Sequence, residues 1–287
     1  PSAVADARDG LGNWTGNVSM SGLIGVLQEA PLRLALFDIA DSVCEHAHPQ
    51  FHVLIKLSGD DRTFSVGDEI CQLTDDKTIV IPPWLPHADL GESEGSTLML
   101  AFYAEPRWIE AQFGLHIRFP SAASQPVISG QERRLLSQVS TFIADASASR
   151  DDIWDITVQL MGSLLRHTNL RSGKLSDVAI DFRIRRAIWL IHGQPHGIKR
   201  MDKLAKAVGM SRSHFYAQFH KATGIPPRIY VEGLMIEQAI HRLVDSRQSI
   251  KDISDDLGYS AQSHFCRFFR SKVGFPPSSF RQFAISA

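Results

Sequence analysis

Three histidines fall within seven residues, His46, His48 and His52, and a fourth, His87, ends the run TIVIPPWLPH. Neutral imidazoles bind zinc, nickel or copper and serve equally as hydrogen-bonding walls of a polar pocket. Side chains two residues apart on an extended strand face the same way, so His46, His48 and His52 are expected on one side of one strand, with His87 brought to them by a second segment. Three uses fit: a divalent transition metal at the four histidines, a pocket for an organic effector bordered by them, or packing without a ligand. Phe51 and Trp84 read as packing elements rather than ligand platforms. No other cofactor is expected, and the chain shows no nucleophile–base pair, phosphate loop or paired carboxylates, so no catalytic residue is assigned and the reading is not an enzyme.

The histidines sit among short β-prone runs from Leu32 to Tyr103 (LRLALFDIA, FHVLIKLSG, RTFSVGDEI, TIVIPPW, STLMLAFY), divided by Gly, Asp and Pro. Such spacing indicates a sandwich or small barrel. Two helices are expected after it. Ser129 with Glu132 forms a capping box for the first, which runs to about Ile143, and the second covers 151–170. On the second, Trp154, Val158, Met161 and Leu165 form one apolar stripe, and Ile153, Leu160 and Leu164 a neighbouring one. An arc that wide suits either burial within one domain or a homodimer contact. Residues 1–30, rich in Gly, Ser and Ala, read as an arm or loop, and 172–177 as a linker.

Charge divides the chain. The 287 residues carry a formal charge of −1, but from Lys174 onward there are 18 Lys and Arg against 9 Asp and Glu, giving +9, which leaves −10 for residues 1–173. A polyanion partner for the basic part alone is the direct inference. That part also repeats itself: LAKAVGMSRSHFYAQFHKATGIPPRIY from Leu204 is echoed by ISDDLGYSAQSHFCRFFRSKVGFPPSSF from Ile253. In each copy a Gly (209, 258) separates a short apolar helix from a Ser (211, 260) placed to cap a second helix. That helix buries Phe at i and i+4 (215 and 219; 265 and 269), then meets Gly and a Pro pair. The two copies read as tandem helix-turn-helix units, preceded by an amphipathic helix at 178–192, joined by a helix near 228–244 and followed by a last helix ending near Phe283. No apolar run reaches membrane-spanning length and no signal peptide is visible. Three cysteines (Cys44, Cys71, Cys266) lack CxxC spacing, so a reduced cytoplasmic location is expected.

The C-terminal repeat resembles the DNA-binding domain of AraC/XylS-type transcription regulators over about residues 180–283. The resemblance implies a seven-helix domain in which the connecting helix holds two recognition helices about 34 Å apart, one for each of two successive major grooves. It places base-facing positions at Arg212, Ser213, Tyr216 and Ala217, then at Gln262, Ser263 and Arg267. Arg is suited to guanine and Gln to adenine, whereas Ala217 offers only a methyl. His214 and His264 are read as packing or phosphate-positioning groups. Met235 stands where the family usually has a basic residue, and Asp255 and Asp256 put acid into the second positioning helix.

The N-terminal part resembles the cupin-type sensor barrel of the same family, with departures: His52 stands at the usual glutamate, Trp84 at the second glycine and Asp76 at the glycine before the last strand. The fold expected is therefore α+β and multidomain: a cupin-like effector-binding and dimerisation domain with two following helices at 31–171, and an all-α reader with two helix-turn-helix units at 178–287. The implied function is a sequence-specific regulator of transcription, commonly an activator, with double-stranded DNA, a small-molecule effector, a second protomer and RNA polymerase as partners and no membrane. The alternatives are a metal-dependent cupin enzyme or metal sensor fused to a DNA-binding domain, and an architectural DNA binder with a vestigial barrel.

Overall fold

The computed structural model describes residues 22–91, 95–115, 122–144, 150–168, 180–198 and 200–285. The linker expected at 172–177 lies outside them. Strands β1 (Gly22–Glu29), β2 (Leu32–Ile39), β4 (Phe51–Gly59), β7 (Ile79–Ile81) and β9 (Thr97–Ala104) form one sheet in the order β1-β2-β9-β4-β7. Strands β3 (Val43–His46), β5 (Arg62–Val66), β6 (Glu69–Leu73) and β8 (His87–Asp89) form a second, in the order β3-β8-β5-β6. Together the two sheets make a small barrel-like half.

The strand period of two divides the large sheet between two cores. On β2 the odd residues Ala35, Phe37 and Ile39 point into the barrel, while Leu32, Leu34 and Leu36 point to the opposite face. That opposite face is covered by α1 (Pro106–Phe113), α2 (Gly130–Ala144) and α3 (Arg150–Arg166). The Ser129–Glu132 capping box is present: Ser129 N–H donates to Glu132 Oε2 at 2.6 Å, and Glu132 N–H to Ser129 Oγ at 3.3 Å.

Three expectations need correction here. The arm does not extend to residue 30, because Gly22–Glu29 pairs antiparallel with β2 and buries Leu23, Val26 and Leu27. Among the described residues three helices, not two, follow the barrel; α1 begins with Pro106 at its first turn, where the missing N–H costs nothing, and ends at Gly114. The broad apolar arc of α3 is filled by its own chain. Ile153, Leu160, Met161, Leu164 and Leu165 are buried in the sheet–helix core, and half-buried Trp154 meets Trp108 edge-on at 5.7 Å. The width of that arc therefore gives no support to a dimer contact.

Among the described residues the C-terminal part contains seven α-helices: α4 (Phe182–Gly193), α5 (Met201–Ala207), α6 (Arg212–Thr223), α7 (Pro227–Asp245), α8 (Ile250–Asp256), α9 (Gln262–Val273) and α10 (Pro277–Phe283). Gly209 and Gly258 turn the chain with φ of 71° and 76°, the left-handed region open to glycine. Ser211 caps α6 by accepting from His214 N–H. Ser260 does not repeat this: the extra residue in the second turn moves the cap position to Ala261, and Ser260 Oγ instead lies 3.3 Å from His264 Nδ1. Phe215 and Phe219 fill the core of the first unit, Phe265 and Phe269 that of the second, all fully buried.

The second unit is continuous with the barrel interior. Ile236, Ile240, Phe275 and Phe280 share one core with Leu23, Phe37, Leu54 and Met99, and Phe275 meets Phe37 edge-on at 5.3 Å. A short final strand, β10 (Ala284–Ile285), runs parallel to the edge of β1.

Candidate functional site

The four histidines converge, although not from one strand. His46 ends β3 and faces His87 of β8 in register, His48 lies in the corner that follows, and His52 belongs to β4 of the other sheet. The chain turns after His46, so the single-strand parity expected from sequence fails while the clustering succeeds. Ring centroids of His46 and His87 lie 4.3 Å apart, those of His48 and His52 4.9 Å, and those of His48 and His87 5.1 Å.

Hydrogen bonds to carbonyls fix two of the rings. His46 Nδ1 is 3.0 Å from the carbonyl of Cys44, and His87 Nδ1 is 2.9 Å from that of Leu85. A carbonyl only accepts, so each Nδ1 carries the proton and each Nε2 keeps its lone pair. His52 Nδ1 lies 3.2 Å from His48 Nε2 and 3.4 Å from His87 Nε2. His48 Nδ1 and His52 Nε2 are buried without a hydrogen-bond partner. Burial, followed by the repulsion of neighbouring imidazoles, holds His48 and His52 well below the ordinary histidine value; burial also does so for His46 and lowers His87 to about 4. All four are neutral at neutral pH.

The surroundings are mixed. Tyr103 stacks on His52 at 4.2 Å and carries the Arg33 guanidinium 4.1 Å from its ring centre, while burial pushes its hydroxyl up to about 12. Apolar side chains such as Leu54, Phe64 and Met99 line much of the rest, with Asp89, Glu232, Glu237 and Lys272 among them, and the cavity volume is about 70 Å³. That is room for a few waters or an equally small solute rather than a large organic ligand in this arrangement.

Sequence reasoning missed the roof of this cavity. Gly233, Ile236, Glu237 and Ile240 of α7 and Lys272 at the end of α9 close it from the helical part. Glu237 accepts from Arg33 through both oxygens at 3.0 and 3.1 Å and from Gln50 Nε2 at 2.7 Å. Burial is the largest influence on Arg33 and lowers its pKa, but the charge of Glu237, its hydrogen bond and Tyr103 together raise it. Lys272 Nζ donates to the carbonyl of Glu45 at 2.7 Å and pairs with Glu232 at 3.0 Å. Trp84 adopts φ 62°, the conformation of the glycine that the barrel pattern has there, and stacks on Tyr230 at 4.1 Å. The signal available in the sequence was Gly233, a glycine inside a helix that only close packing explains.

The residues assigned to DNA lie elsewhere, on the N-terminal turns of α6 and α9. Arg212, Ser213, Ala217, Gln262, Ser263 and Arg267 are exposed, and Tyr216 is half-buried with Arg212 over its ring at 5.5 Å. His214 and His264 are exposed beside them. Asp255 pairs with Lys251, and Asp256 with Arg242, so the acid of α8 is partly neutralised within the domain.

Residues 204–282 match the family described as "Helix-turn-helix domain". This segment is an AraC-type helix-turn-helix domain. Among curated proteins, the chain is 25% identical over 159 residues to the Msm operon regulatory protein of Streptococcus mutans serotype c, covering 54% of this chain and 57% of that protein. It is 27% identical over 183 residues to the HTH-type transcriptional activator RhaS of Escherichia coli O139:H28, covering 62% and 61%. The chain thus spans less than two thirds of either relative. ToxT of Vibrio cholerae O395 shares the fold across 89% of this chain and 98% of its own, with a TM-score of 0.57 at 11% identity. ToxT of strain SCE256 has also been solved with an unsaturated fatty acid bound, at a TM-score of 0.56 and 10% identity over 90% of this chain and 98% of that one. No described helix is long and apolar enough to cross a membrane.

Proposed function

We propose that the protein is a sequence-specific DNA-binding regulator of transcription, of the AraC/XylS type, controlled by a small effector held between the barrel and the helical domain. The observation that carries this is the pair of AraC-type units whose phenylalanines are buried while Arg212, Gln262 and Arg267 stand in solvent at the starts of α6 and α9. A basic domain bearing two such helices is suited to duplex DNA, with phosphates supplying affinity and the exposed Arg and Gln supplying discrimination. A regulator rather than an enzyme is the reading the site supports, since its neutral imidazoles face a small cavity with no activated nucleophile among the described residues. The fatty acid held by ToxT supports a small-molecule occupant for this fold.

Effector control follows from the roof. A ligand that fits the cavity only when α7 and α9 cover it shifts the population toward the docked arrangement, and one that needs more room shifts it away. Activation through contact with RNA polymerase, binding as a homodimer and a cytoplasmic setting belong to the same proposal. A second protomer docks elsewhere than through Trp154 and Met161.

The deciding experiment selects duplexes from random DNA with the full chain and measures affinity by fluorescence anisotropy. Arg267→Ala is expected to weaken binding by about 1–3 kcal/mol and to relax preference at one base position, with the decline in affinity at rising salt preserved in form. Unchanged affinity and preference would remove Arg267 from the interface, and failure of the unsubstituted chain to enrich any sequence would remove the function.

A further inference from the structure

The connecting helix α7 lines a second space on its other side. Gly233, Ile236, Glu237 and Ile240 turn to the barrel, and at 3.6 residues per turn Val231 and Met235 fall on the opposite face. There a groove of about 580 Å³ runs between the two helix-turn-helix units, bounded by Met201 and Tyr216 of the first and by Tyr259 and Phe268 of the second. That volume is within the roughly 300–1,000 Å³ of small-molecule sites.

The lining is divided by chemistry. Val231 is buried, Met235 and Phe268 are half-buried, and the Phe268 ring lies 5.7 Å from that of Tyr259, which gives the groove an apolar side. Guanidinium groups stand at the rim. Arg212 is exposed and lies 5.5 Å from the Tyr216 ring centre. Arg228, also exposed, donates to Glu232 at 2.8 Å; that bond, and to a lesser degree Tyr216, raises its pKa. The nearby carboxylates are already engaged, Asp202 by Arg200 at 2.9 Å and Glu232 by both Arg228 and Lys272. Arg200, Arg212, Arg228 and Lys272 thus share two acids, Asp202 and Glu232, and the balance is positive. Burial, then the charge of Glu232, pushes the Tyr259 hydroxyl up, so it stays a neutral donor.

We propose that this groove binds an aromatic monocarboxylate, its ring against Met235 and Phe268 and its carboxylate on Arg212 and Arg228, and that this ligand competes with DNA. DNA by itself does not account for the lining, because phosphate contacts need donors and Val231, Met235 and Phe268 supply none. A thioether at Met235, where the family usually has a cation, suits an aromatic ring. A guanidinium engaged by a carboxylate has no edge left for guanine, so occupancy takes Arg212 out of the DNA-facing set. The competition rests on the regulator reading; the ligand site does not.

The test uses the full chain and para-benzoylbenzoate, an aromatic carboxylate that cross-links to neighbouring C–H groups under ultraviolet light, with the neutral amide para-benzoylbenzamide as its counterpart. Calorimetry is expected to show one carboxylate bound per protomer, about 10-fold or more tighter than the amide, as charge-assisted hydrogen bonds exceed neutral ones. Peptide mapping after irradiation should place the adduct on Met201 or Met235. Arg228→Gln should remove most of the preference for acid over amide, and the map, read on the unsubstituted chain, stands even if that variant misfolds. A duplex recovered by selection should suppress the adduct. Adducts confined to the barrel cavity, at Phe64 or Met99, equal affinity for acid and amide, or no adduct would overturn the site. An adduct at Met235 that the selected duplex leaves untouched would overturn the competition. DNA selection is scored separately: enrichment without labelling of the groove defeats only this inference, and labelling without enrichment keeps the site while the regulator reading falls.

Discussion

Replacing Arg62 by Met is expected to destabilise the barrel by about 3–5 kcal/mol, seen as a lower midpoint in urea unfolding of the full chain. Arg62 is 1% exposed. Its Nε donates to Asp89 Oδ2 at 2.7 Å, and its two terminal nitrogens donate to the carbonyls of Ile39 and Asp41, each at 3.2 Å. These contacts tie the end of β2 to β5 and β8 across the two sheets. Asp89 is equally buried, and burial raises its pKa despite the opposing pull of Arg62 and a bond from Gly91 N–H. Met keeps most of the apolar stem and removes the guanidinium, so Asp89 is left as a buried carboxylate with a single backbone donor. The measured cost is then chiefly the stranded charge rather than lost packing. Arg62→Met combined with Asp89→Leu should recover much of the stability, because two apolar side chains of similar volume strand nothing. A single-variant loss below about 1 kcal/mol would mean that Asp89 finds another partner or takes up a proton at little cost.

The helical part was legible in the sequence because its determinants are local. Gly224 and Gly274 end α6 and α9 with φ of 78° and 89°, the paired phenylalanines are four residues apart on one turn of helix, and Asp181 and Ser211 cap where capping residues stand. The failures there are equally local: one inserted residue moved a cap from Ser260 to Ala261, a shift no propensity registers. The barrel was legible where strands are long. β3 and β8, four and three residues long, carry two of the four site histidines; β8 was not read as a strand, and His46 of β3 was read on one strand with His52 of β4, because nothing shorter than a full alternation distinguishes a strand from a loop. The histidines were still found, by residue type and spacing, although the strand parity offered for them was wrong. The apolar arc of α3 shows the limit from the other side. Its width was read correctly, but which surfaces cover it depends on α1, Trp108 and the outer face of the large sheet, and a helical pattern contains none of these. The same limit hid the roof of the cavity, since Glu237, Gln50 and Arg33 are far apart in sequence and each reads alone as an ordinary surface polar residue.

Gly233→Ala is expected to act in opposite directions on the helix and on the docked molecule. Within α7 alone, Ala is better than Gly by about 1 kcal/mol, because it restricts the unfolded backbone and shields the helix. In the docked chain the added methyl would lie 2.2 Å from the Ala47 carbonyl oxygen and 3.1 Å from Trp84 Cζ3. The first obstacle is backbone that also holds His46 and His48 in place, so it does not yield as the tip of a flexible side chain would. The second is pinned by its stack on Tyr230. Docking should therefore lose about 3 kcal/mol or more, the upper part of what overpacking costs, and α7 should lift from the barrel mouth. Lifting also breaks the Arg33–Glu237 pair and exposes the apolar surface shared by Phe37 and Phe275. The expected observations on the full chain are a larger radius of gyration by small-angle scattering, faster hydrogen exchange at both Phe37 and Ile240, and unfolding that separates into two transitions, the helical one at higher denaturant than the barrel. DNA selection should persist, since Arg212, Gln262 and Arg267 are exposed and lie on other helices, α6 and α9. A variant that keeps the parent's radius and one cooperative transition would show that α7 does not rest on the Ala47 carbonyl in solution. The cavity would then be open to solvent on that side, with room for larger effectors than the docked arrangement admits.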